Sequence, residues 1–326
     1  LFTAFGNELK ALAAQLGITN LQEAVGRSDL LEQTKGKDML DLTYLLKTLE
    51  LGQVSKMESK SSEKELMVQM AAVGAEYLDS SVNDLLHSRD FQNVNAIQRV
   101  LGSRVSCHRV RGRLDGSYRK LDPVNLSYKG SIPGNGLGAY NTEGINIVVD
   151  GGAQDGTGKT SFGGMIAILK DKGRDGQYYN GSVGKGFGYG AQKGLLIAQG
   201  DADARAGIRL SGADMIIGGP LKANIPSDEQ GNIGVNSNIK GFAFEYMTNG
   251  RGLVLGDPGP WICAGMTGGV IYLRYQPERG LDKEAIQRRI AKGALVTIGK
   301  LNETGVKDVT ELLTRYIDVL GQSGQS

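Results

Sequence analysis

Cysteine and histidine are nearly missing from this chain: it holds Cys107 and Cys263, and His87 and His108. Two thiolates cannot supply the ligand set of an iron–sulfur cluster. They give no disulfide framework either, so a reducing, cytoplasmic setting is expected. Two histidines leave little room for a histidine-rich metal site. An excess of one charge is missing as well, since 37 basic and 35 acidic side chains leave a net charge of +2. A dedicated nucleic-acid binder shows a strong basic excess, so no nucleic-acid partner is expected. No apolar run approaches the ~20 residues of a membrane helix, so no membrane partner is expected. The first residue is Leu1, not Met, and no signal-peptide pattern follows. The chain is therefore expected to start inside a longer polypeptide.

Proline is scarce too, at 7 residues, and apolar residues remain at 40%. That is not a disordered proline–glycine composition. What is abundant is glycine, with 49 residues in 326, about twice the ordinary share. These glycines must serve a folded backbone.

Three textures follow one another. Residues 1–100 read as helical. Phe5, Leu9, Leu12 and Leu16 fall at helical spacing, and Gly17 can end that helix. Thr19 to Glu23 supplies a capping-box start for a short helix ending near Gly26. Leu42, Leu45, Leu46 and Leu49 mark a third helix, Ser61 to Glu65 opens a fourth, and Val82, Leu85 and Leu86 suit a fifth. From residue 101 to 278 glycine dominates: 34 of the 49 lie between Gly130 and Gly269. Between them sit short apolar bursts, Ile145 to Val149, Leu195 to Ala198 and Leu253 to Leu255, which read as strands. Residues 279–326 return to helix. Asp282-Lys283-Glu284 opens one segment, and a second runs from about Val306 to Leu320 with Val309, Leu312, Leu313, Ile317 and Leu320 on one stripe. Gly321 to Ser326 reads as a flexible polar tail.

The middle region repeats. Gly130 to Tyr140 matches Gly181 to Tyr189, an offset of about 50 residues. The register continues through Gly144, Gly194 and Gly252, then through Gly158, Gly207 and Gly265, and then through Gly164, Gly212 and Gly268 or Gly269. Strand residues follow each copy: Met165 to Ile168, Met215 to Ile217 and Val270 to Leu273. Glycine alone takes positive φ without steric cost, and layers stacked about 4.8 Å apart leave no room for a corner side chain. The expected fold is mainly β: a right-handed parallel β-helix, or β-solenoid, with a helical N-terminal region and a helical C-terminal segment. The alternative is a β-sandwich with glycine turns. Hairpin signals are sparse there, with Asp155-Gly156 and Asn249-Gly250 the main candidates.

Chemistry is thin. Ala153 to Thr160, reading Ala-Gln-Asp-Gly-Thr-Gly-Lys-Thr, fits a relaxed phosphate loop. Such a loop must open a helix, and Ser161 to Gly164 leads into a strand instead, so a tight corner is the better reading. Gly134-Asn135-Gly136-Leu137-Gly138 and Gly184-Lys185-Gly186-Phe187-Gly188 have GxGxG spacing, not the GxGxxG of a dinucleotide site. Arg104, Arg109, Arg111, Arg113, Arg119 and Lys120 form a basic stretch, with Asp115 the acid and Tyr118 the aromatic within it. It suits a solvated strand, or a contact to an acidic neighbouring domain, better than a nucleic-acid surface. Cys107-His108 is adjacent, not spaced for metal or catalysis, and Cys263 suits a small core residue. Glu245 and Asp203 are lone carboxylates suited to a surface or a corner. No nucleophile–base–orienter set is present, so no catalytic, cofactor-binding or metal residue is assigned.

Four segments carry a family resemblance. Gly152 to Asp155 through Gly158-Lys159 and Gly163-Gly164, Ala204 to Gly212, Phe244 to Gly250, and Ala264 to Gly269 resemble the C-terminal glycine-rich domain of glutamate synthase large subunits. Leu9 to Leu31 resembles the junction that leaves that family's FMN-binding synthase domain. The resemblance implies a non-catalytic structural subunit or fragment of a glutamate synthase-like complex in nitrogen metabolism. In such a complex ammonia from glutamine passes from an amidotransferase unit to 2-oxoglutarate at an FMN and iron–sulfur synthase unit. It implies no cofactor in this chain, with FMN and the cluster on a partner domain or subunit, and the amidotransferase as a second partner. The departures are Leu1 where the amidotransferase has its cysteine, no cluster cysteines, Gln154 for asparagine, Thr160 for glycine, and a polar stretch from Asn224 to Asn238. The C subunit of formylmethanofuran dehydrogenase shares the glycine-rich domain type and is the alternative scaffold.

Overall fold

A computed structural model describes residues 2–46, 87–117, 122–227, 229 and 233–325. Two compact units emerge, Leu1–Met67 and Val68–Ser326. In the first, helix α1 spans Phe2–Gln15. Gly17 ends it at φ +69°, with Ile18 N–H donating to Ala13 C=O at 3.0 Å and Gly17 N–H to Ala14 C=O at 3.1 Å. That is the double bond pattern of a glycine C-cap. Phe5, Leu12 and Leu16, on the expected apolar stripe, are exposed. The expected second helix is a short 3₁₀ turn, Leu21–Ala24. Asn20 caps it, and the Thr19 hydroxyl donates to Glu23 at 2.8 Å. Helix α2 covers Thr43–Leu46. The remainder of the third expected helix, and the fourth and fifth, lie outside the described residues.

The second unit is built on one sheet. Its strands are β1 (Arg89–Gln92), β2 (Val124–Ser131), β3 (Ile145–Gly151), β4 (Phe162–Lys172), β5 (Tyr178–Asn180), β6 (Lys193–Ala198), β7 (Ser211–Ile217), β8 (Asn249–Val254) and β9 (Val270–Leu273). The order is β1-β2-β3-β4-β6-β7-β8-β9, every neighbour parallel. Only β5 departs, folding back antiparallel on β4. Helices are few: α3 (Ser103–Leu114), α4 (Lys283–Arg289) and α5 (Glu303–Gln322).

Both faces are covered at the centre of the sheet, around β4, β6 and β7, which explains the near-continuous apolar bursts there. Along β4, Ile166 and Ile168 face the main core, while Ala167 and Leu169 face the other side. Along β6, Leu196 and Ala198 alternate with Leu195 and Ile197 in the same way. α5 lies over this second face, setting Leu312, Tyr316 and Val319 against Ala167, Leu169, Leu195, Ile197 and Ile216. Asn302 caps α5 by accepting from Gly305 N–H at 2.8 Å.

Each turn before a strand has left-handed backbone at alternate positions. One column runs Gly136, Gly156, Gly186, Arg205, Phe242, Trp261, and a second runs Gly138, Gly158, Gly188, Gly207, Phe244, Cys263. A third runs Tyr140, Thr160, Gly190, Arg209, Tyr246, Gly265. This alternation is the physical content of the GxGxG spacing. Each column is stitched to the next layer by backbone bonds, as from Gly138 N–H to Leu101 C=O, Gly158 N–H to Leu137 C=O and Gly188 N–H to Thr157 C=O, each 2.8 Å. The second column points inward. A Cβ on Gly138 would lie 2.5 Å from Ile166 Cδ1. Phe244 is tolerated there because Gly207 and Gly252 leave the space its ring fills.

These turns overturn the expected fold class. The right-handed parallel β-helix, or β-solenoid, is not what forms. The regular strands make one open sheet, with β1 and β9 as unjoined edges. Parallel pairing away from it is confined to isolated bridges: Ala153–Val183, Val183–Ala202, Ala202–Ile239 and Ile262–Ile290. A left-handed residue at every second position breaks the extended run that a further strand would need. The result is an open parallel sheet with few helices, of α/β type. The β-sandwich alternative fails too, because among the described residues every strand pair but β4–β5 is parallel. Asp155-Gly156 lies in a stacked turn and Asn249-Gly250 opens β8. Among the described residues, the one hairpin between two strands of the sheet, β4 to β5, turns at Asp175-Gly176, with Gly173 N–H donating to Gln177 C=O at 2.7 Å.

Other differences are local. β1 lies within the N-terminal stretch expected to be helical. The basic stretch expected as a strand is α3, because Gly102 at φ +83° starts a helix that drives Val105 into the main core. The tail expected to be flexible is tied down at Gln325. Its amide donates to Lys170 C=O at 2.7 Å and accepts from Gln199 at 2.8 Å.

Candidate functional site

The loop closest to a phosphate site is Ala153–Thr160. A phosphate loop offers its backbone N–H groups to the ligand. Here six of the eight are spent, those of Asp155 and Thr157 excepted. Ala153 donates to Ser182 C=O at 3.0 Å, Gln154 to Pro133 at 3.2 Å, Gly156 to Lys185 at 2.8 Å, Gly158 to Leu137 at 2.8 Å, and Thr160 to Tyr189 at 2.7 Å. Lys159 turns outward, with Nζ 5.3 Å from the centre of the Tyr189 ring. No helix follows; β4 begins at Phe162. The loop is a stacked turn. The glycines of Gly134–Gly138 and Gly184–Gly188 belong to the same stacking.

The basic stretch divides by helix face. Arg109 turns inward, donating to Asp122 C=O at 2.9 Å, and burial pulls its pKa down, with Arg113 adding to the effect. Arg113 donates to Thr142 at 3.1 Å. Arg104 and Arg111 are exposed. Tyr118, Arg119 and Lys120 lie outside the described residues. Cys107 is exposed and His108 half-buried on the same helix. Cys263 is buried in the core, which pushes its thiol up to about 11. Among the described residues, no cluster of three or more His, Cys, Asp or Glu is placed for a metal ion. No helix among them is long and apolar enough to cross a membrane.

Two ion clusters went unread in the sequence. Arg251 on β8 donates to Asp214 on β7 at 2.8 Å, to Asp308 at 2.8 Å and to Glu311 at 2.9 Å, and Arg315 reaches Asp214 at 2.7 Å. The Tyr272 hydroxyl donates to Asp308 at 2.5 Å. Hydrogen bonds from Tyr272 and Arg251 hold the Asp308 carboxyl below the usual range, and Arg251 does the same for Glu311. These groups clamp α5 to the sheet. The second cluster centres on Arg289, which is fully buried and forks between Asp257 at 2.6 Å and Glu229 at 2.9 Å. Burial alone would lower its pKa, but the bonds to Asp257 and Glu229 raise it overall. Both clusters are internal ties. A cavity of about 350 Å³ near Leu221, Ile225, Glu229 and Asp257 adjoins the second.

The outward columns were also missed. In the first, Arg205 lies 5.9 Å over the Phe242 ring, and Phe242 stacks on Trp261 at 5.0 Å. In the third, Arg209 lies 5.8 Å over the Tyr246 ring. Phe242, Trp261 and Tyr246 are 36%, 52% and 49% exposed. Each takes left-handed backbone, which costs a non-glycine residue about 1–2 kcal/mol. Glu245 lies under Arg205 at 3.5 Å, and Asp203 under Lys240 at 3.4 Å. Laying the sequence out by layer, with Gly186, Arg205, Phe242 and Trp261 in one column, would have exposed the pattern.

The GXGXG motif family matches residues 76–225 and 228–325. Ferredoxin-dependent glutamate synthase 2, chloroplastic, from Arabidopsis thaliana is 27% identical over 333 residues, covering 99% of this chain and 18% of that protein. Ferredoxin-dependent glutamate synthase from Cyanidium caldarium is 26% identical over 340 residues, covering 97% and 20%. The glutamate synthase [NADPH] large chain of Bacillus subtilis (strain 168) is 25% identical over 324 residues, covering 95% and 19%. The chain thus spans about a fifth of the length of these relatives. With its alternate left-handed turn positions and its matched residues together, the chain belongs to the GXGXG motif family.

Proposed function

We propose that this chain is a non-catalytic structural part of a glutamate synthase-like assembly. In it, glutamine-derived ammonia meets 2-oxoglutarate on other domains or subunits. An amidotransferase unit releases the ammonia, and a synthase unit carries FMN and an iron–sulfur cluster. This chain holds them in register, in the cytoplasm, through the stacked body formed by residues 101–278 and the helical segment 279–326. Residues 1–100 continue from the synthase unit, and the exposed Phe5, Leu12 and Leu16 of α1 suit such a contact.

One observation carries the reading: the loop most like a ligand site spends five of its eight backbone donors on neighbouring layers and a sixth within itself. The charged clusters around Arg251 and Arg289 likewise tie the chain to itself. The relatives add support, since each is a glutamate synthase matched over nearly all of this chain. The test is purification of the native assembly from its source. Flavin and iron–sulfur absorbance together with an amidotransferase is the expected result. A molybdenum or tungsten partner would instead favour the formylmethanofuran dehydrogenase type. Nucleotide binding by the isolated chain, lost in Lys159→Ala, would refute the structural role.

A further inference from the structure

We propose that the turn edge carrying Arg205, Phe242 and Trp261, with Arg209 and Tyr246 beside them, docks an acidic protein face. The inference rests on the chain being part of a larger assembly. The same column holds Gly136, Gly156 and Gly186 in earlier layers, where the turn closes without any side chain. Packing of the turn therefore does not call for bulk at this position. Yet Arg205, Phe242 and Trp261 occupy it at φ +65°, +54° and +57°, against their backbone preference. Their side chains point out of the core and stack on one another. A strained, outward, aromatic–arginine array has the composition of an interface centre.

Charge selects the occupant. Arg205 is 58% exposed over a Glu245 side chain that is 13% exposed, and Lys240 is 67% exposed over Asp203 at 30%. In both pairs the acid is turned in and the cation out, and Asp155 is an exposed acid on the same edge. Lys159, Lys185 and Arg209 are exposed on the same edge. A carboxylate-bearing face is the electrostatic complement. Single-stranded nucleic acid would need open ring faces to stack on. Phe242, the middle ring, is taken up by Trp261 stacked on it at 5.0 Å and Arg205 over it at 5.9 Å.

The native assembly tests this with a photo-crosslinking phenylalanine analogue in place of Trp261, and the same analogue in place of Arg104 on α3 as a control. The crosslink from position 261 is expected on a protein segment rich in Asp and Glu, and the control is expected to miss that segment. Arg205→Glu with Arg209→Glu should weaken retention of that protein about tenfold or more, in a salt-dependent manner. Arg205→Gln with Arg209→Gln, which keeps side-chain bulk, should weaken it in the same direction. A crosslink to a second copy of this chain, to nucleic acid or to a segment without acids overturns the inference. So does unchanged retention in the glutamine variant. If retention is unchanged while the assembly still forms glutamate, the docking surface fails and the proposed function stands. If an acidic protein is crosslinked in an assembly without flavin, the reverse holds.

Discussion

At the scale of single residues, the fold depends on what the inward turn column admits. Gly138 sits at φ +61°, with Ile166 Cδ1 2.5 Å and Ile147 Cδ1 3.1 Å from where a Cβ would stand. Gly138→Ala combines left-handed strain with overpacking, so urea melts should show a loss of roughly 2–4 kcal/mol. Gly186→Ala sits on the outward column at φ +66° with nothing near its Cβ, so only the backbone term of about 1–2 kcal/mol should appear. A second residue-scale test concerns Asp150 on β3, whose Oδ1 is buried without a hydrogen-bond partner. Burial raises its pKa, with Asp171 adding to the rise and Lys129 opposing it. A carboxyl raised on folding contributes most at low pH and loses that contribution as pH rises through its folded pKa. Asp150→Asn should therefore raise the melting temperature at pH 7, and the gain should shrink as pH falls below the ordinary carboxylate range, about 4.

Among elements, α5 is the strap over the outer face of the sheet. Leu312 is fully buried between it and the strands, so Leu312→Ala should cost about 2–4 kcal/mol. The clamp at its N-terminal half is pH-sensitive. Asp308 and Glu311 have lowered pKa values, so their contribution is complete above about pH 4–5 and fades as pH drops through the folded values. Hydrogen exchange of α5 amides should accelerate there before the strand amides of β6 and β7 do. Strands β3, β4 and β6 to β9 and both C-terminal helices were legible in the sequence: bursts such as Ile145 to Val149 fell on strands, and Asp282 fell on the cap of α4. α3 was not, because its arginines and Gly112 hide a helix whose core contact comes through residues such as Val105. Nor was the β4–β5 hairpin, since Asp175-Gly176 lies just past an apolar run that also reads as a buried strand.

Across the whole molecule, the repeat was legible but its class was not. Positive φ was correctly read into the glycines, yet its alternation, which leaves one open sheet in place of a closed solenoid, depends on geometry that composition does not carry. The candidate site shows the same divide. The Lys159 loop could be doubted from its missing helix, whereas the Arg205–Phe242–Trp261 column emerges only once layers are in register. The Arg289 tie joins segments distant in sequence, from Glu229 through Asp257 to α4. Arg289→Met strands two acids, one of them fully enclosed, and should cost about 3–5 kcal/mol in a denaturant melt. The central claim is that this chain organises chemistry performed elsewhere. Its most direct measurement is glutamate formation from glutamine and 2-oxoglutarate by the native assembly, compared with this chain alone. Turnover by the assembly and none by the isolated chain is the predicted result. Turnover by the isolated chain, or an assembly that forms no glutamate, would contradict the account.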